Sequence, residues 1–496
     1  VGYNFSGSKG DILSYRGLSG GIYKPLSGNE IEIIHEASLE ILEKTGFTYE
    51  AGLDSTLALL EDAGAVVDRN ADRIYFPRDL VMEQVAKAPA EVILYSRDGQ
   101  NDLILTEDRV HLGTGGAAVK ILDLETGEAR PSVLDDLYQL GRLVDHLDHI
   151  HFFLRPCIPT DIAEDHYDVN TYYACLKSTA KHVMSGVNDV NGLKHVIELA
   201  AIVAGGKDRL QTRPFISVIA SFAISPLKLC TQSTLIMQEA NRSSIPVALS
   251  AAPMAGSTSP ITMAGTLAQL HAEQLAGICI CQLTRPGAPI LYGGIPGRAN
   301  LVSMSYLGGA VECGMMNAAI HQLANHIKVP NYNSSGLSDS KIPDAQAGWE
   351  KAITTLLATM GGSNYIHHAA GMLESMLTVA YEQYVIDDEI IGMCGKVLMG
   401  IEVDSGRLAL DVIEAVGPGG NFMLADHTVD HLRTEYHMGN RVSDQAIREQ
   451  WENDGALDAR ERGRKIAKQI LAKEEKSYIS PEQDQTIREK FNILLA

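Results

Sequence analysis

Several things are missing from this 496-residue chain, and each absence narrows its function. No window approaches the roughly 18 consecutive apolar residues of a membrane span. The nearest, FISVIASFAISPL from Phe215, is too short and is broken by proline. Basic residues are scarce: 41 Lys and Arg face 62 Asp and Glu, a net charge of -21. That balance repels phosphate backbones and anionic lipid, so neither nucleic acid nor membrane is expected as a partner. The seven cysteines form no C-x-x-C pair, and an odd number scattered in this way suits reduced thiols in a cytoplasmic protein. Cys279 and Cys281 fall in a helical pattern where positions two apart do not share a face, so burial is the better reading than metal. The N-terminus, VGYNFSGSKGDILSYRGLSGG, lacks the apolar core of a secretion signal and reads as extended.

Nucleotide and hydrolase signatures are also absent. GTGGAAVK at 113–120 lacks the second glycine and the Ser or Thr that a phosphate loop places around its lysine, and GMCGK at 392–396 fails by spacing. There is no G-x-S-x-G elbow and no D-x-H-x-x-G of the kind that supplies a histidine to cobalt.

Apolar content of 45% and charged content of 21% mark an ordinary globular chain, long enough for one large domain with additions. Asn29, Ile31, Ile34, Ala37 and Ile41, stopped by Gly46, predict a capped amphipathic helix within an N-terminal helical layer, residues 1–64. Turn signals RNAD (69–72), RDGQND (97–102) and ETGE (125–128) predict a small antiparallel region with a connecting helix over 65–148.

From 149 to 405 apolar runs recur every 30 to 45 residues with helical patterns between them. They begin at 151, 182, 215, 246, 289, 329 and 364, and YEQYVIDDE at 381 is the weaker eighth. Buried parallel strands alternating with helices, eight times over, predict a TIM (β/α)8 barrel, an α/β fold. Residues 406–496 predict a Gly-rich turn and a charged helical tail, with Trp451 as its anchor.

Barrel enzymes build their sites at the C-terminal ends of strands, and here those ends turn polar or small: SGVND, SAAP, GGIP, NSSGLSD, HHAAG. The stretch 331–350 leaves the strand at VPNYNSS and gathers Asn333, Ser335, Asp339, Gln346, Trp349 and Glu350. Asn188, His367 and His368 also fall at strand ends. Tyr95, Tyr292, Tyr332, Trp349 and Tyr365 lie near predicted ends and would suit a cation without hydrogen-bond donors, which aromatic faces bind. Metal readings are poorer. His146, His149 and His151 straddle a helix-to-strand junction, and the pair His427 and His431 lacks the Glu of H-E-x-x-H.

The succession GGIYKPLS, LGTGGAAV, SGLSDSKIPDAQAGWEK, AGMLES, YVIDDEIIG and VGPGGNFM resembles the trimethylamine methyltransferase family over nearly the full length. The resemblance implies a TIM barrel that transfers a methyl group from an amine to the Co(I) corrinoid (cobalamin) of a separate corrinoid protein. The founding enzymes carry pyrrolysine in or near the polar segment, where this chain has standard residues, Lys341 among them. That departure is similar to the glycine betaine branch, whose substrates are quaternary amines. A pyrrolysine-type trimethylamine enzyme and a non-catalytic betaine-binding barrel are the alternatives. For a quaternary amine, already a positively charged leaving group, the resemblance implies no required catalytic residue. Aromatic faces would hold the ammonium, and Arg97, Asn333, His367 or His368 the carboxylate. An even-numbered homo-oligomer is expected.

Overall fold

The computed structural model describes residues 17–439 and 442–495, so the N-terminal segment up to Arg16, expected to be extended, lies outside the described residues. Eight parallel strands form the centre: β1 (Arg109–Leu112), β2 (Phe153–Leu154), β3 (Val183–Ser185), β4 (Ile216–Ala220), β5 (Val247–Leu249), β6 (Ile290–Gly294), β7 (Asn331–Ser334) and β8 (Tyr365–His367). They pair in that order, β8 pairs with β1 through Tyr365–His111 and Ile366–Leu112, and a parallel bridge between Gly113 and Phe152 brings β2 beside β1. The ring is closed. Each strand is followed by a helix that covers it, from Leu134–Asp145 after β1 to Tyr381–Met399 after β8.

The expected barrel is therefore present, with one strand misplaced by sequence reasoning. YEQYVIDDE at 381 is the start of the last barrel helix, while the remaining strand is RVHL at 109–112. Its polar, basic start hid it. Each of the three turn signals sits in a two-stranded hairpin: Val66–Asp68 with Arg73–Tyr75, Val92–Leu94 with Leu103–Leu105, and Lys120–Leu122 with Ala129–Pro131. The N-terminal helix runs Gly28–Glu40, and its cap is Ser27, not Asn29, with Glu30 completing a capping box.

The second hairpin closes the N-terminal end of the barrel. Val92, Leu94, Leu103 and Leu105 pack with Phe152, Leu154, Met184, Ala248, Leu291, Tyr332 and Tyr365, all buried. Each such side chain contributes roughly 1.5–3 kcal/mol by leaving water. His182 pins the plug: a carbonyl only accepts, so Nδ1–H donates to Tyr95 O (2.8 Å) and Nε2 accepts from Ser217 Oγ (2.7 Å). With one end plugged, a ligand can enter only from the other.

Candidate functional site

Successive side chains on a strand point to opposite faces, so every second residue reaches the barrel axis. On β7 these are Tyr332 and Ser334, and on β8 Tyr365 and His367; Asn331, Asn333 and Ile366 face the helices. Tyr365 stacks on Phe152 with centroids 3.6 Å apart and planes at 12°, making a flat aromatic floor. Tyr332 stands beside it.

Above the floor the strands supply little bulk. At Gly186 an added Cβ would meet only Ile219 O, at 3.7 Å, so this position is open, whereas Gly113 and Gly293 let the Phe152 ring and the Tyr332 carbonyl approach to where a Cβ would stand. Gly115 lies close under the histidines: a Cβ there would be 3.1 Å from that of His367.

His367 faces this gap. It is 1% exposed, and neither of its ring nitrogens has a hydrogen-bond partner. A buried polar group left unpaired costs about 1–3 kcal/mol, a cost that a bound ligand would relieve. Burial, reinforced by His368, holds the His367 imidazole well below the usual histidine range, so it is neutral near pH 7. Its neighbour His368 adopts the left-handed region (φ 63°) and shares a 2.7 Å hydrogen bond between Nδ1 and Ser334 Oγ. Burial, aided by Lys351, pushes His368 down to about 3. Both histidines thus present hydrogen-bonding edges without positive charge. Ser335 adjoins them; its amide donates to His367 O (3.1 Å) and its buried hydroxyl is unpartnered.

Contacts behind the histidines fix the loops that form the mouth. Lys351, fully buried, donates to Gly336 O and Met372 O and pairs with Asp387 at 3.1 Å. Asp387 in turn accepts from the Gly371 amide (2.7 Å) and Gln383 (2.9 Å). Burial pushes the Lys351 ammonium down and the Asp387 carboxyl up, and their mutual attraction opposes both shifts. Glu350 accepts from Ser338 Oγ, the Asp339 amide and Gln346 Nε2, while Asp339 accepts from Ser375 Oγ and the Gly308 amide. Asp339, Gln346 and Glu350 therefore tie loops together and do not face the gap with free groups.

Other expected residues are dispersed. Tyr95 and Arg97 lie at the plugged N-terminal end, where the Arg97 amide donates to Ala180 O and Arg97, Phe215 and Tyr478 line a separate cleft of about 560 Å³. Tyr292 points outward to His271 (2.8 Å). Asn333 donates outward to Asn317 O and Ser363 Oγ. Trp349 is 62% exposed on the helix Ala345–Gly361. Asn188 is exposed at the C-terminal side, beside the cap of the helix Val190–Ala204. Of the proposed aromatic group only Tyr332 and Tyr365 reach the axis, because the strand ends sit elsewhere than periodicity alone indicates.

The histidine run disperses too: His146 binds Arg142 O, His149 pairs with Asp388, and His151 accepts from the Leu112 amide. Among the described residues no group of three or more His, Cys, Asp or Glu is placed to hold a metal ion. Residues that periodicity overlooked are Ser334, Lys351 and Asp387, together with the glycines 113, 115, 186 and 293. The signal for the first glycines is GTGG at 113–116, which reads as a failed phosphate loop and as part of the family word LGTGGAAV.

The rim of the mouth is apolar on one side. Ile261, on the loop after β5, and Leu301, Val302 and Met304, on the loop after β6, are exposed, and Leu301 and Ile261 both adjoin Gly256. Such a group suits contact with another molecule more than with water.

The chain is matched over residues 13–492 by a family model described as Trimethylamine methyltransferase (MTTB). It is 37% identical over 445 residues to Trimethylamine methyltransferase MttB of Desulfitobacterium hafniense (strain DSM 10664 / DCB-2), covering 90% of this chain and 88% of that one. It is 31% identical over 476 residues to Glycine betaine methyltransferase of Desulfitobacterium hafniense (strain Y51), covering 96% and 97%. Trimethylamine methyltransferase MttB of Methanosarcina thermophila is 29% identical over 456 residues, covering 90% and 92%.

Proposed function

Because the chain belongs to the trimethylamine methyltransferase family and is a methyltransferase, we propose that it moves an N-methyl group from a quaternary amine of the glycine betaine type to the Co(I) corrinoid of a separate corrinoid protein. The observation that carries this reading is His367, buried and unpartnered at both nitrogens, beside the Tyr332 ring.

The chemistry of the gap suits such a substrate. A quaternary ammonium has no N–H to donate and is bound by aromatic faces, which Tyr332 and Tyr365 provide. A neutral imidazole does not repel it. The single N–H of neutral His367 donates to the substrate carboxylate, with the Ser335 hydroxyl as a second donor. Gly186 leaves room for the methyl groups.

The corrinoid, when its carrier protein docks, supplies the nucleophile that accepts the methyl group. The exposed Ile261, Leu301, Val302 and Met304 form an apolar rim that would meet the flat ring of a visiting group. The C–N bond breaks with its electron pair left on nitrogen, so the amine departs neutral and no proton is needed. A general acid is therefore dispensable. The protein's part is to orient one N-methyl group towards the mouth, exclude water and hold the rest of the substrate still.

Trimethylamine is the second reading, favoured by the 37% identity to a protein of that name, with a pyrrolysine recorded as an ordinary residue. Calorimetric titration with glycine betaine, proline betaine, carnitine and trimethylamine separates the two. The quaternary amines should bind and trimethylamine should not; the reverse order would reject the betaine reading.

A further inference from the structure

The cleft at the plugged end of the barrel is built by four separate stretches of chain. Arg97 comes from the turn of the second hairpin, Arg209 from the short helix Lys207–Thr212, Phe215 from the residue before β4, and Tyr478 from the C-terminal tail. Its volume of about 560 Å³ falls within the roughly 300–1,000 Å³ of small-molecule sites. His367 lies at the opposite end of the barrel, so this cleft is no part of the gap described above.

On a chain of net charge -21, the cleft reverses the sign: three arginines, 97, 209 and 213, line it with two aspartates, 98 and 208. Arg213 is already paired, with Asp102 at 2.6 Å. Asp98 is turned onto its own loop, where it accepts from Ser96 Oγ (3.0 Å) and the Gln100 amide (2.9 Å). Among the described residues neither Arg97 nor Arg209 has an ion-pair partner. The Arg97 guanidinium donates from Nη1 to Leu176 O, and its carbon lies 5.9 Å from the centroids of both the Phe215 and the Tyr478 ring. A guanidinium carries five N–H donors, so most of its donors remain for another partner. Burial pushes Arg97 down to about 10, the mark of a cation taken from water without a compensating anion.

We propose that this cleft binds a small organic anion, a carboxylate or a phosphate ester with an apolar body. The Arg97 fork takes the head group, since a guanidinium matches two oxygens of either anion at once, and Arg209 supplies a second cation. Ala180, Val203 and Ala204 give the apolar body a wall to lie on. A phosphate polymer is a poorer fit, because the net negative charge of the rest of the chain repels it. A bound anion would tie the hairpin plug, the strand β4 and the tail together.

Calorimetric titration of the full chain with benzoate and with phenyl phosphate tests this, because the two differ chiefly in the head group. At least one should bind once per chain with a dissociation constant under about 1 mM and raise the melting temperature, and the tighter of the two identifies the head group. Benzyl alcohol, with a ring and no charge, should not bind. Arg97→Met should weaken binding at least about tenfold, as loss of a hydrogen bond to a charged group does, and Arg209→Ala about three- to tenfold. His367→Ala should bind the anion like wild type, and saturating glycine betaine should not displace it. Arg209 is exposed, so Arg209→Ala carries the test should Arg97→Met misfold. Binding of neither anion below about 5 mM would overturn the proposal. Unchanged affinity in folded Arg209→Ala, equal binding of benzyl alcohol, or displacement by glycine betaine would each do the same.

Discussion

The His367 imidazole meets the Tyr332 ring edge to face, with centroids 5.1 Å apart and planes at 90°. The pair places a hydrogen-bonding edge and an aromatic face in one small volume, the combination that a betaine's carboxylate and ammonium require. Removing either should affect a different end of the substrate. His367→Ala should weaken glycine betaine binding by about 10- to 100-fold, the worth of a hydrogen bond to a charged group. Tyr332→Leu should cost about tenfold through the lost cation–π contact, and Tyr332→Phe much less. Calorimetry measures all three. If His367→Ala binds betaine like wild type, the imidazole does not touch the substrate.

Gly186 offers a test of the cavity that leaves the hydrogen-bonding groups alone. An added Cβ there has open surroundings, so Gly186→Leu should fold with a melting temperature near that of wild type. Its side chain should occupy the gap and raise the KM for the amine at least about tenfold. An unaltered KM in a folded variant would place the substrate elsewhere.

Acid should unfold the protein through its buried histidines. His182 is held at about 4 by burial and His368 at about 3, whereas an exposed imidazole titrates near 6.5. The unfolded chain therefore takes up protons that the folded chain refuses. The stabilisation is complete above about pH 6.5 and is lost as pH falls towards 4; for His182 alone it is on the order of 3 kcal/mol. Urea midpoints at about pH 7, 5.5 and 4.5 should fall steadily, and His182→Gln should reduce the slope. A flat profile would show that these rings are not buried neutral.

The Lys351–Asp387 pair should matter for the geometry of the mouth more than for the chemistry. Lys351→Met leaves the Asp387 charge buried and uncompensated, which costs roughly 3–5 kcal/mol. Replacing both, Lys351→Met with Asp387→Leu, should recover part of that stability in a denaturant titration. KM should still be raised, because the loops after β7 and β8 lose their ties at Gly336 and Gly371.

The barrel was legible because strands buried on both faces are apolar throughout and recur at a nearly constant interval. Periodicity could not show which strand closes the ring. RVHL begins with arginine and carries a histidine at its third position, and it precedes its partner β2 by a long excursion through the hairpin at 120–131 and the helix Leu134–Asp145. The site was legible only in part. His367 and His368 stand out as strand-end histidines, but the face to which a residue points depends on register, and a shift of one residue sends Tyr292 and Asn333 outward while Tyr332 faces inward. That Tyr95 and Arg97 lie at the end away from the mouth has no signal in the sequence, because a hairpin turn gives no sign of which end of a barrel it will cover. Lys351 and Asp387, separated by 36 positions on two helices, carry no sequence pattern that announces their contact.

Methyl transfer from a quaternary amine can be followed in one anaerobic measurement. The purified protein is mixed with chemically reduced cob(I)alamin and glycine betaine, and the absorbance is followed. Conversion to the methylcobalamin spectrum is expected only when both protein and betaine are present, with the rate strongly reduced in His367→Ala. No conversion with glycine betaine, proline betaine or carnitine, while calorimetry shows that they bind, would contradict it and leave a betaine-binding barrel in its place.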